Sequence, residues 1–168
     1  EMTPEDVLKT IWDQVATRFA DMPDSVYFEL YNEPHGAFQG PDAFDVLAEV
    51  LKVVRETNPT RAVVIGGDDW SSVRNLNQLE LPNDDYLVPT IHYYVPFDFT
   101  HQGIPWKNNP PPIGYDWGSE ADLQRLEDDF DIIATWREEN GDMPFYMGEF
   151  GVYFTAPEEE RAQWAQAV

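Results

Sequence analysis

Short apolar runs alternate with amphipathic stretches along this chain, and each run stops at polar residues on its carboxyl side. The runs cover residues 26–31, 61–65, 86–94 and 145–147. Between them, apolar residues recur at helical spacing: Val7, Leu8, Ile11, Trp12, Val15 and Phe19; then Phe44, Leu47, Leu51 and Val54; then Leu123, Leu126, Phe130 and Ile133. Thr3 with Asp6 and Ser119 with Asp122 have the spacing of capping boxes, with Pro4 and Pro41 at first helical positions. Strands that alternate with helices and read apolar throughout predict a parallel sheet with right-handed crossovers, an α/β fold. Pro89 predicts an early break in the third strand, and 71–79 reads as one weak helix. Residues 95–118 form a long Pro- and aromatic-rich loop, a length that points to function.

The chain has 168 residues, one domain's worth. Acids outnumber bases 32 to 10, for a net charge of −22. That balance argues against nucleic acid and against anionic membrane surfaces, whose phosphates it would repel. It reads first as an adaptation to salt or to an acidic medium. No apolar run approaches the roughly 20 residues of a membrane span. With no cysteine, disulfides, thiolate metal sites and cysteine nucleophiles are excluded.

In parallel α/β folds, ligand groups gather just past the carboxyl ends of the strands. Those ends carry Asn32-Glu33-Pro34, Asp68-Asp69-Trp70, His92-Tyr93-Tyr94 and Gly148-Glu149-Phe150-Gly151. A pair of carboxylates carries glycoside hydrolysis, one protonated and one ionised, and a like charge nearby divides the two roles. Either glutamate alone reads equally well as a strand-end cap or salt bridge. Two of them with aromatics between point to a site. On spacing alone His92 is a core histidine or a site residue, and Tyr93, alternating away from Tyr94, packs. Trp70, Trp106 and Trp117 lie in strand-end loops, as sugar platforms or as packing. Trp12, Trp136 and Trp164 lie on helices and read as core. Asp68 and Asp69 make a poor cation cage, and His35 and His101 lack the spacing of a zinc site.

These motifs, in this order and at strand ends, resemble glycoside hydrolase family 5, the cellulase family. The stretch from His92 through VPFDFTHQG to Trp106 is similar to the sixth-strand loop of bacterial members. The resemblance covers nearly the whole chain, and it implies a partial (β/α)8 barrel: strands 4–7 with their helices in a parallel sheet. On this footing residues 1–168 are a fragment of a single catalytic domain. The first three strands and the eighth lie elsewhere, with an arginine, a histidine or asparagine, and a tryptophan that the family places on them. An open half-barrel would expose two strand edges and much apolar surface.

The resemblance also implies a retaining endo-β-glycosidase acting on β-1,4-linked polysaccharide, with cellulose-type glucan as the first choice and mannan or xyloglucan as others. Glu33 would be the general acid/base and Glu149 the nucleophile. Asn32 would hold the sugar 2-hydroxyl, His92 and Tyr94 would line the subsite, and Trp70 and Trp106 would stack on sugar rings. No metal or organic cofactor is implied. An extracellular or periplasmic location is expected, because the polymer is outside the cell. The competing expectation is a glycan binder or inactive truncated barrel.

Overall fold

A computed structural model describes residues 2–168. Helix α1 (Pro4–Arg18) opens on the expected capping box: Asp6 N–H donates to Thr3 Oγ1 at 3.1 Å and Thr3 N–H to Asp6 Oδ2 at 2.9 Å. Strand β1 (Phe28–Glu29) leads to helix α2 (Pro41–Thr57), then strand β2 (Val63–Gly66). A tight turn, α3 (Asp68–Ser71), and a 3-10 helix (Val73–Gln78) precede strand β3 (Leu87–Tyr93). One-turn α4 (Phe97–Thr100), helix α5 (Glu120–Glu139), strand β4 (Tyr146–Phe150) and helix α6 (Glu158–Ala167) complete the order. The second capping box, Ser119 with Asp122, opens α5.

The sheet is parallel throughout, in the order β1-β2-β3-β4, and curls into half a barrel. Its convex face is covered by helices. Phe28, Leu30, Val63, Ile65 and Leu87 pack there against Trp12 and Ala16 of α1 and Leu47, Val50, Leu51 and Val54 of α2. Ile91 and Tyr93 join Phe99, Trp117, Trp136 and Trp164 in a second cluster. By alternation, Glu29, Val64, Gly66, Thr90 and His92 face the concave side, the barrel interior. The outer strands β1 and β4 each leave one edge unpaired, and Tyr146 and Phe150 stand about half exposed on β4.

Buried Arg61 locks the connection between α1 and β1. Its guanidinium donates to the carbonyl oxygens of Phe19, Ala20, Met22, Pro23 and Val26, and to Asn58 Oδ1. Segment 71–79 is a 3-10 helix after a turn rather than one α-helix. Ser71 donates its N–H to Gly67, and Asp69, Trp70 and Ser71 all take left-handed φ, which ends any right-handed helix.

Pro89 does not break β3. Val63 N–H donates to the Tyr86 carbonyl, so residues 86, 88 and 90 turn their backbone groups toward β2, and 87 and 89 toward β4. Strand β4 begins only opposite Thr90, so no ladder bond is lost where Pro89 lacks its N–H. The fourth strand runs past its expected end at residue 147 and includes Glu149. Loop 95–118 is well tied. Fully buried Gln102 donates to the Phe99 and Tyr115 carbonyls and accepts Gly114 N–H, while Tyr153 N–H donates to Thr100 O.

Candidate active site

The site lies at the carboxyl ends of β1, β3 and β4. Glu33 follows β1 in a left-handed conformation, φ 53°, which turns its side chain back over the concave face. His92, buried within β3, reaches it: Nδ1 lies 2.8 Å from Glu33 Oε1. On β4 the register slips by one residue between Ile91 and His92, so Met147 pairs with Ile91 but Glu149 pairs with His92. Gly148 is the extra residue. A β-bulge of this kind re-aims the next side chain. Only glycine fits there: a Cβ on Gly148 would stand 2.8 Å from Thr90 Oγ1 and 3.1 Å from His92 Nε2.

The bulge carries Glu149 to the same point. Its Oε2 is 3.6 Å from His92 Nδ1 and accepts the Tyr94 hydroxyl at 2.9 Å. One ligand-type atom each from Glu33, His92 and Glu149 falls within 4.8 Å of the others. Such a trio could in principle hold a metal ion. Here the atoms that would face an ion are already engaged with one another, with Tyr94 closing the set. A pair of carboxyls bridged by an imidazole is instead suited to moving protons. Burial, then the hydrogen bond to Glu149, pushes the Tyr94 phenol well above its usual range, so it stays a donor.

The other expected residues fall around this centre. Asn32 is exposed beside Glu33, its amide without an intramolecular hydrogen bond among the described residues. Trp70 is half exposed and tied to the Glu33 loop: its N–H donates to Pro34 O at 3.2 Å and its ring stacks on His35 at 4.6 Å. His35 Nδ1–H in turn donates to the Glu33 carbonyl at 2.6 Å. Trp106 is exposed on the far side, edge-on to Tyr153 and to His101, and His101 is edge-on to Tyr94. Burial lowers the pKa of His101. Trp117 is no platform; it is buried against Phe99. Trp12, Trp136 and Trp164 are core, as expected.

Sequence reasoning passed over three residues. His35 and His101, which lack the spacing of a zinc site, pack against tryptophans instead: His35 stacks on Trp70 and His101 is edge-on to Trp106. Glu29 sits on the concave face with its Oε1 buried and unpartnered. Burial raises its pKa, and Glu149 and Glu33 raise it further, against an opposing pull from His92. The signal was present as a lone acid inside an apolar run.

Comparison with known proteins agrees with this geometry. The family model for Cellulase (glycosyl hydrolase family 5) matches residues 1–168. The chain is 37% identical over 154 residues to endoglucanase H of Acetivibrio thermocellus, covering 92% of this chain and 16% of that protein. It is 30% identical over 186 residues to endoglucanase C of the same organism, covering 92% and 52%. Among solved structures, an endoglucanase superposes with a TM-score of 0.94 at 38% identity, covering 98% of this chain and 53% of that one. Thermotoga maritima Cel5A in complex with cellobiose superposes at 0.93 and 35%, covering 97% and 53%. The chain thus spans about half the length of endoglucanase C and of these structures. A parallel half-barrel whose concave rim gathers two glutamates, a histidine and a tyrosine belongs, with its sequence, to the cellulases of glycosyl hydrolase family 5.

Proposed function

We propose that this chain is half of a catalytic domain whose closed barrel is a retaining endo-β-glycosidase for β-1,4-linked polysaccharide. The observation that carries the reading is the convergence of Glu33 and Glu149, whose nearest site-facing oxygens lie within 4.8 Å. Retaining chemistry uses carboxyl groups about 5 Å apart, whereas inverting chemistry leaves room for a water between them.

In the first step a Glu149 oxygen attacks the anomeric carbon. The C–O bond to the leaving sugar breaks, and the proton of the Glu33 carboxyl passes to the departing oxygen. In the second step Glu33, now a carboxylate, takes a proton from water. The water oxygen bonds to the anomeric carbon and Glu149 is released. His92, hydrogen-bonded to Glu33 through Nδ1, steadies its orientation. Tyr94 aims Glu149 by donating its hydroxyl to Oε2. Asn32 is placed to bond the 2-hydroxyl, where such bonds strengthen in the transition state. Trp70 and Trp106 offer exposed ring faces on either side for sugar stacking.

Cellulose-type glucan is the first substrate choice, supported by the endoglucanase names of the relatives and the cellobiose complex of a similar structure. A polymer substrate places the protein outside the cytoplasm, in the medium or periplasm. Among the described residues no helix is long and apolar enough to cross a membrane. The test is release of reducing sugar from carboxymethylcellulose by the closed barrel. Glu149→Gln and Glu33→Gln are each expected to lose at least about 1,000-fold in kcat. Undiminished turnover in Glu149→Gln overturns the assignment of the nucleophile.

A second reading, glycan binding without hydrolysis, applies to the half-barrel by itself. The exposure of Trp70 and Trp106 favours it. Retardation of these 168 residues in a glucan gel, lost in Trp106→Ala, tests it.

A further inference from the structure

Beyond the Glu33–Glu149 pair, the rim carries aromatic rings that the reaction just described does not use. From Tyr94, contacts run outward ring to ring. His101 is edge-on to Tyr94 at 5.0 Å and Trp106 is edge-on to His101 at 6.4 Å. Tyr153 stands perpendicular to Trp106 at 5.2 Å, and Phe154 is tilted on Tyr153 at 4.5 Å. Two connections thus build one ridge: the loop after β3 supplies Trp106, and the segment after β4 supplies Tyr153 and Phe154. Phe154 is the most exposed large apolar side chain among the described residues, at 69%, and Trp106 stands at 66%.

The ridge is not a by-product of the open sheet edge. Segment 153–155 leans on the loop after β3, an inner strand. Tyr153 N–H donates to Thr100 O at 2.8 Å, and the Thr155 hydroxyl donates to Gln102 O. Gly103 N–H donates to Pro111 O at 2.8 Å, which closes the neck of the excursion that carries Trp106. A Cβ on Gly103 would stand 2.7 Å from Ile113 Cγ1 and 3.4 Å from Thr155 Cγ2, so this neck and the β4 segment pack closely.

Fold stability gives no reason for a phenylalanine at 154. Val152 and Ala156, on either side, pack into the second core cluster, whereas Tyr153 and Phe154 belong to neither cluster. A polar residue would serve the turn as well and would leave no apolar ring in water. Contiguous exposed apolar surface of this kind marks a docking site.

We propose that Phe154, braced by Tyr153, is an outlying sugar platform: a β-linked glucan chain lying in the cleft continues past Trp106 and sets a further pyranose ring against Phe154. The occupant is more of the same polymer, because the ridge is continuous with the site and its uncharged ring faces suit the apolar faces of sugars. The proposal rests on the glycan reading of the site for its ligand. It adds reach, not chemistry: Phe154 touches no reacting atom.

The primary experiment uses the chain itself, run in native gels containing hydroxyethylcellulose, with starch gels as the control for a glucan of different linkage. Phe154→Ser is expected to raise the apparent Kd for hydroxyethylcellulose about threefold to tenfold, and Phe154→Tyr, which keeps the ring, to stay within about twofold of wild type. Thermal melts of both variants are expected level with wild type, since the side chain lies outside the core. Equal migration of wild type and Phe154→Ser overturns the proposal. An equal dependence on Phe154 in starch gels means unspecific adhesion and overturns it too.

In the closed barrel the platform reads as a length effect. In Phe154→Ser, kcat/KM on cellohexaose is expected to fall about threefold to tenfold through KM, against less than about twofold on cellotriose, which is too short to span the ridge. Equal losses at both lengths overturn the proposal. A closed barrel inactive on every length even as wild type counts against the glycosidase reading, and the gel comparison then decides Phe154 by itself.

Discussion

The Tyr94 hydroxyl donates to Glu149 Oε2 at 2.9 Å, from the residue just past one strand to a carboxylate on the next. This bond fixes which oxygen of Glu149 is held; in the proposed reaction the other is the one free to attack. Tyr94→Phe removes it without opening a cavity. If Glu149 is the nucleophile, as proposed, kcat is expected to fall about tenfold, because the carboxylate is no longer held in place. A stopped reducing-sugar assay of wild type and Tyr94→Phe in the closed barrel reads the loss.

Arg55 and Asp84 give a pH-dependent contribution far from the site. Arg55 Nε and Nη2 donate to the two Asp84 oxygens at 2.6 and 2.8 Å. That hydrogen bonding lowers the pKa of Asp84 below its ordinary 3.8. A lowered carboxylate contributes stability above its unfolded pKa and loses it as pH falls through the folded value. Asp84→Asn is expected to melt lower than wild type at pH 7, and the gap to close below about pH 4. Melts in the two ranges check it.

Arg61 is the fold's internal clasp. Replacing it with Met keeps much of the apolar stem but takes the donor from the Ala20, Met22 and Val26 carbonyls and from Asn58 Oδ1; the Phe19 and Pro23 carbonyls keep the N–H groups of Met22 and Val26. Buried acceptors left without donors carry the full desolvation cost. The variant is expected to lose about 3 kcal/mol in urea unfolding, through a lower midpoint at constant slope.

With 32 acids against 10 bases, repulsion outweighs attraction over this surface. The exposed pairs Lys9–Glu5 and Lys52–Glu49 contribute little to offset it. Screening relieves the excess. Raising sodium chloride from about 20 mM to about 0.5 M, across which the Debye length falls severalfold, is expected to raise the melting temperature by a few degrees. A fall would mean that ion pairs dominate.

Much of this arrangement was legible in the chain because strand ends punctuate themselves. Asn32-Glu33-Pro34 and Gly148-Glu149 mark where apolar runs stop, and both glutamates do meet His92. The capping boxes at Thr3 and Ser119 marked helix starts correctly, since their partners are local. What could not be read depends on neighbours in space. The tolerance of Pro89 follows from where β4 begins. The bulge at Gly148 follows from register, and Trp117 turns inward because Phe99 is there.

The pairing of Glu33 with Glu149 is tested most directly by trapping the covalent intermediate. The closed barrel is incubated with a cellobioside bearing fluorine at the 2-position and a good leaving group, then digested and weighed by mass spectrometry. One glycosyl adduct is expected, as an ester on the peptide containing Glu149, formed in wild type and abolished in Glu149→Gln. An adduct on Glu33 or elsewhere, or continued turnover of substrate with no adduct at all, would contradict the account.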